Sequence, residues 1–339
     1  MAPYFSPRVQ IGNGIGCLKS KIRNLPPAMS HRSPTHRSPL THSQLTVVGL
    51  GEILWDLLPD GKQLGGAPAN FAYHAKALGA RGVVVSCVGD DDLGREIIDR
   101  LRELGLGTEH IAVDQRHPTG TVSVALDAAG KPRYTIHENV AWDFIPSSPA
   151  LMKLAARTGA VCYGSLCQRS ELSRETVRTF LQATRPDCLR VFDINLRQSF
   201  YSREIADTML SLSNVLKLND EELPVVAELL SIKGTEADIL WTLTGRYRLR
   251  LIALTRGASG SLLWTPNASS THAGIRPPRI VDTVGAGDAF TAALTVGLLR
   301  GDPLDQINDH ANRIASYVCA QPGATPPLPE SLVNSQNYT

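Results

Sequence analysis

Past residue 45 the chain falls into short, nearly continuous apolar runs separated by stretches whose apolar residues recur every three or four positions. TVVGLGEIL (46–54) has the character of a strand covered on both faces. GVVVSCVG (82–89), AVCYGSL (160–166), LRVFDIN (189–195), NVLKLND (214–220) and LIALTRG (251–257) continue the series. PANFAYHAKALG (68–79) predicts a helix: Pro68 suits its first turn, Phe71, Ala72, Ala75 and Leu78 share a face, and Gly79 ends it. LGREIIDRLRELG (93–105) predicts another, with Ile97, Ile98, Leu101 and Leu104 on one side. Such alternation predicts an α/β fold with a mainly parallel central sheet and helices on both faces. One stretch breaks the rhythm. TVSVALDAAGKPRYTIHE (121–138) is two alternating runs around a glycine-containing turn, a hairpin that projects from the sheet as a lid, a dimer contact or an edge elaboration. No repeat of 20–50 residues is visible.

Composition narrows the picture modestly. With 42% hydrophobic and 19% charged residues, the 339-residue chain is an ordinary globular protein with ample core. A net charge of +2 gives no case for nucleic acid, and no run of about 18 apolar residues suggests a membrane span. The charge is unevenly spread: residues 1–45 hold six Lys/Arg and no Asp or Glu. SHRSPTHRSPLTHS (30–43) cannot bury enough apolar surface to offset ordering, so residues 1–44 read as a disordered basic extension and 45–335 as the folded domain. An acid-poor, Arg-bearing start also fits an organellar transit peptide, but Pro26 and Pro27 break the one amphipathic candidate, and a cytoplasmic protein is expected. The six cysteines form no CxxC pair and read as reduced, buried thiols; the nine histidines show no metal spacing.

Nucleotide signatures come next. No G-x-x-x-x-G-K-[ST] exists, since GKQ (61–63) and GKP (130–132) lack the final hydroxyl residue; GLGEIL (49–54) lacks the third glycine of a dinucleotide fingerprint. VDTVGAGDAF (281–290) is different. Gly285, Ala286 and Gly287 have little or no side chain and precede the apolar helix TAALTVGLLRG, whose dipole favours an anion at that end. Asp288 there is either a helix-capping acid, worth about 0.5–2 kcal/mol, or an active-site acid. A phosphate in the glycine site would repel it unless a hydroxyl lay between them to be deprotonated. That arrangement suits phosphoryl transfer, where positioning and charge stabilisation carry the catalysis.

VDTVGAGDAF closely resembles the C-terminal signature of the ribokinase-like (PfkB) carbohydrate kinases, and GGAPANFAYHAKALG (65–79) resembles their N-terminal Gly-Gly signature, in the same order. The likeness covers roughly residues 45–330. GEILWDLLPDG (51–61), FDINLRQSFY (192–201) and QPGATP (321–326) look specifically like fructokinases. The resemblance implies a three-layer α/β/α fold with a small β lid, and ATP-dependent phosphorylation of the 6-hydroxyl of fructose, or else of ribose, 2-keto-3-deoxygluconate or a nucleoside. It implies that Asp288 is the base and that the 285–288 amides form an anion hole. Asp56, at the end of the first strand, Gly65, Gly66 and Asn70 would meet the sugar, with Arg197 of DINLR facing sugar or phosphates. Asn219 and Glu222 of KLNDEE match the family's N-x-x-E element, with Glu222 holding Mg²⁺ through water. Thr255, Arg256, Gly257 and Gly260 of LTRGASGS would lie near ATP, and Asp282 with PGAT (322–325) would hold a monovalent cation such as K⁺. Sugar and ATP are the expected partners, with a homodimer formed through the lid.

Overall fold

The computed structural model describes residues 45–58, 61–126 and 132–333; the extension expected over 1–44 lies outside them, as does the turn of the predicted hairpin. The first strand, β1 (Thr46–Leu50), is shorter than its apolar character suggests. The chain leaves it at Gly51 and enters β2 (Leu54–Leu58), which belongs to a different sheet. Ile53 and Trp55 bury their side chains in a second cluster with Ala72 and Leu101, so the apolar run continues unbroken across a real structural break. Asp56 therefore stands in the middle of β2, not at the end of the first strand as expected.

The order continues β3 (Gly61–Gly65), α1 (Ala67–Ala77), β4 (Arg81–Gly89), α2 (Asp92–Glu103), β5 (Ile111–Asp114), β6 (Gly120–Leu126) and β7 (Pro132–Ile136). Then come α3 (Pro149–Ala155), β8 (Ala160–Tyr163), α4 (Glu171–Gln182), β9 (Leu189–Asp193), α5 (Arg203–Leu212), β10 (Val215–Asn219), α6 (Glu222–Leu229) and α7 (Glu236–Tyr247). The chain closes with β11 (Leu251–Thr255), β12 (Ser261–Trp264), β13 (Ser269–His272), α8 (Ala286–Arg300) and α9 (Leu304–Cys319).

Nine strands make the central sheet in the order β13-β12-β11-β10-β9-β8-β1-β4-β5. All neighbours from β11 to β5 are parallel, and β12 and β13 add an antiparallel edge. Alternate side chains divide the core. Val48, Val161, Phe192, Leu216 and Ile252 face a layer holding α4 to α7, where Phe180, Met209, Val226 and Leu243 are buried. Val47, Cys162, Val191, Val215 and Ala253 face Phe71 of α1, Ala292 and Leu294 of α8 and Ile314 of α9. Each Val, Leu, Ile, Phe or Met among them contributes about 1.5–3 kcal/mol by burial. The result is the three-layer α/β/α architecture that the alternation predicts.

The second sheet has the order β3-β2-β6-β7, with β2 parallel to β6 and the outer pairs antiparallel. The predicted hairpin supplies β6 and β7. The other half comes from 54–65, which periodicity does not reveal. Val122 and Ile136 are buried while Tyr134, on the same face of β7 but farther out along the hairpin, is 58% exposed, so that face is covered only near the core. Within the main sheet the strand order reverses between β1 and β8, and ligands of open α/β sheets bind at the carboxyl ends beside such a switch point.

Candidate active site

At that switch point a narrow crevice is lined by Pro68, Phe71, Gly164, Asp193 and Asp288. Three chain segments meet here. The first turn of α1 brings Asn70, whose Nδ2 donates to Asp288 Oδ2 at 2.8 Å across 218 residues of sequence. That bond leaves Oδ1 of Asp288 for another partner. Asp288 sits in the first turn of α8, where the N–H groups of Gly287 and Asp288 precede the first helical bond, Ala289 N to Gly285 O. Gly285 caps the helix in the left-handed region, φ 79°, and a Cβ there would lie 2.5 Å from Ala324 O, so only glycine lets the chain turn this close to the PGAT loop.

Electrostatics set Asp288 apart. Burial and the neighbouring Asp193 carboxylate push its pKa up to about 6, against the Asn70 hydrogen bond and the charges of Lys217 and Arg197. Asp193, at the end of β9, is itself buried and held on both sides: Lys217 Nζ donates to Oδ1 at 2.9 Å and Thr291 Oγ1 to Oδ2 at 2.9 Å. Lys217 Nζ also lies 3.3 Å from where a Cβ of Gly287 would stand, which places a buried cation under the glycine segment. Burial opposes that charge, but Asp193 and Glu222 outweigh it and raise the Lys217 pKa.

Asn219 ends β10, and its Oδ1 accepts from the N–H of Glu221 and of Glu222. Glu222 answers: its Oε2 accepts from Asn219 N at 2.8 Å and its Oε1 from Leu196 N at 2.9 Å. Each carboxylate oxygen thus keeps lone-pair capacity for a water molecule. Thr255 ends the adjacent strand, in register with Asn219. Beyond it Arg256 turns its Nη2 onto Glu236 of α7 at 2.7 Å, while Gly257 and Gly260 both adopt positive φ. Asp282 spans two loops, accepting from Val284 N on one oxygen and from Gly323 N on the other. Among the described residues no cluster of three or more His, Cys, Asp or Glu could hold a metal unaided.

On the lid side, Asp56 is half-buried, and its Oδ2 lies 2.5 Å from where a Cβ of Gly65 would stand. Gly66 adopts φ 115°, and a Cβ on it would meet the backbone oxygen of Glu52 at 2.5 Å. Arg197 is exposed, with Nη1 donating to Leu196 O, and its charge partly offsets the burial that raises the pKa values of both Asp56 and Asp288. The structure therefore gathers Asp56, Gly65, Gly66, Asn70, Arg197 and Gly285–Asp288 at one end of the sheet, with Asn219, Glu222 and Thr255 along the same edge. Two residues escaped the sequence reading, and Asp193 was read there only as part of DINLR at a strand end. Lys217 was hidden inside a strand, the weight of Asp193 shows only through its partners, and His74 carries no motif. Buried His74 donates through Nε2 to Ala324 O at 2.9 Å, bracing the PGAT loop behind Gly285, and burial pulls its pKa down to about 4.

Comparison with known proteins agrees with this geometry. The pattern describing the pfkB family of carbohydrate kinases matches residues 60–331. The fructokinase of Salmonella typhimurium is 34% identical over 269 residues, covering 76% of this chain and 85% of that protein. Fructokinase-1 of Zea mays is 29% identical over 312 residues, covering 84% and 94%. The crystal structure of the Vibrio cholerae O395 fructokinase, with fructose, ADP and calcium bound, superimposes with a TM-score of 0.72 at 26% identity, over 86% of this chain and 98% of that one.

Proposed function

The chain belongs to the pfkB family of carbohydrate kinases, and from that premise we propose that it transfers the γ-phosphoryl group of ATP to the 6-hydroxyl of D-fructose. The fold is ribokinase-like and the protein is a phosphotransferase acting on a sugar hydroxyl. The observation that carries the mechanism is the Asn70–Asp288 pair at the N-terminus of α8. Asn70 fixes one carboxylate oxygen, so Asp288 presents the other to the acceptor hydroxyl and takes its proton as the oxygen attacks phosphorus. The first-turn amides of α8 receive the transferring phosphoryl oxygens, and Lys217 beneath Gly287 offsets the charge collected there.

Asp56, Gly65, Gly66 and Arg197 complete the acceptor pocket under the lid. Mg²⁺ suits the Glu222 site, because each carboxylate oxygen can accept a metal-bound water beyond its one backbone donor. Bound with ATP, Mg²⁺ would neutralise phosphate charge. Asp282 and the loop at Gly323 provide the carboxylate and backbone setting for a monovalent cation such as K⁺. Thr255, Gly257 and Gly260 border the nucleotide side. The edge strand β7 of the lid, with exposed Tyr134, is the surface for a homodimer. A screen of ADP release with fructose, ribose, 2-keto-3-deoxygluconate, tagatose and adenosine tests the assignment. Fructose should give the highest kcat/KM; turnover of another acceptor with fructose inert would refute the fructokinase reading.

A further inference from the structure

One buried acid of the site has no place in this mechanism. Glu52 follows the carboxyl end of β1, at the switch point, and is 3% exposed. Its backbone oxygen lies directly against Gly66, so it forms the floor under the glycine pair. Its Oε2 is fully enclosed and has no hydrogen-bond partner. A buried carboxyl oxygen left unpaired is costly, and such a group is retained where something else completes it.

The groups that face Glu52 come from three elements. Arg197 lies on the loop after β9, Asp288 on α8, and Arg169 with the Cys167 thiol on the turn after β8. Arg169 is committed on one side, where its Nε and Nη2 grip Asp143 and its plane lies 4.0 Å from the Trp142 ring centre, while its enclosed Nη1 has no hydrogen-bond partner. Arg197 is instead the shared counter-charge of three carboxyls, Glu52, Asp56 and Asp288. A carboxyl oxygen enclosed with no donor facing it, as Glu52 Oε2 is, favours the neutral acid, so this carboxyl holds a proton. Desolvation, the largest influence on Glu52, pushes its pKa to about 7, above that of Asp288.

We propose that Glu52 is an acceptor-pocket residue whose neutral carboxyl donates a hydrogen bond to a sugar hydroxyl, so that acceptor affinity depends on a protonated Glu52 while phosphoryl transfer depends on an ionised Asp288. This rests on the sugar-kinase reading above. Two carboxyls of one pocket then serve in opposite protonation states, and kcat/KM for the sugar falls on both sides of an optimum between about pH 6 and 7.

The test is the pH profile of fructose KM and kcat at saturating MgATP for the full chain and for Glu52→Gln, which keeps the shape and a hydrogen-bond donor but cannot ionise. In the wild type, fructose KM should rise tenfold per pH unit above the Glu52 pKa. In Glu52→Gln that rise should vanish, while the acid limb of kcat stays in place. Glu52→Leu should raise fructose KM at least tenfold at pH 6, with ATP KM within twofold; if it does not fold, the Glu52→Gln profile decides. A Glu52→Gln profile that rises with pH as the wild type does, or a Glu52→Leu protein with wild-type fructose KM, overturns the inference and leaves the kinase reading intact. A wild type that phosphorylates no sugar overturns both.

Discussion

Asp288 separates a capping acid from a base by one substitution. Asn caps a helix as well as Asp, so Asp288→Asn should leave the melting temperature nearly unchanged while kcat falls roughly 10²–10⁴-fold, the usual worth of a positioned base. Asn70→Ala removes the hydrogen bond that lowers the Asp288 pKa. Its sugar KM should rise about 5–100-fold with little change in that for ATP, and the acid limb of its kcat profile should move to higher pH. Both residues were legible in sequence because each sits in a short motif with chemistry of its own. Glu52, Lys217 and His74 were not. Their significance lies in partners 24 or more residues away, such as Ala324 for His74 and Asp193 for Lys217, and nothing local in the chain announces those pairs.

At the scale of elements, strand–helix alternation carried the central sheet and its three layers, because strands buried on both faces leave a plain apolar signature. It missed half of the lid. A run whose one acid, Glu52, is itself buried at the change of sheets looks like one strand, and so Asp56 was assigned to the wrong sheet. The junction of β3 and α1 gives the test at this scale. Gly66→Ala would force a Cβ to within 2.5 Å of Glu52 O at φ 115°, so the variant should lose about 3 kcal/mol or more of stability in denaturant unfolding. Its sugar KM should rise with it, since the displaced strand carries the acceptor pocket.

For the whole molecule, the displaced pKa values make stability depend on pH. Glu52 is raised from 4.5 to about 7, so the unfolded chain ionises first and stability drains away as pH climbs between those values, by roughly 3 kcal/mol in all. His74, pulled down to about 4, acts in the opposite sense and gives stability as pH rises from 4 to 6.5. The stability advantage of Glu52→Gln over the wild type, measured by urea unfolding, should therefore grow from pH 5 to pH 8. A chain starting at Leu45 should keep kcat/KM within about twofold, because the family match and every site residue lie beyond the basic extension. One joint between lid and core is a single residue: β3 ends at Gly65, α1 begins at Ala67, and three positions on Asn70 grips Asp288. In mechanical terms lid and base are two arms of one lever, pivoted on Gly66 without slack. On the proposed mechanism a hydroxyl compound is held at Asp288 by both arms only if it is large enough to reach the lid. Water is not, and ADP release without a sugar should be negligible beside the rate with one.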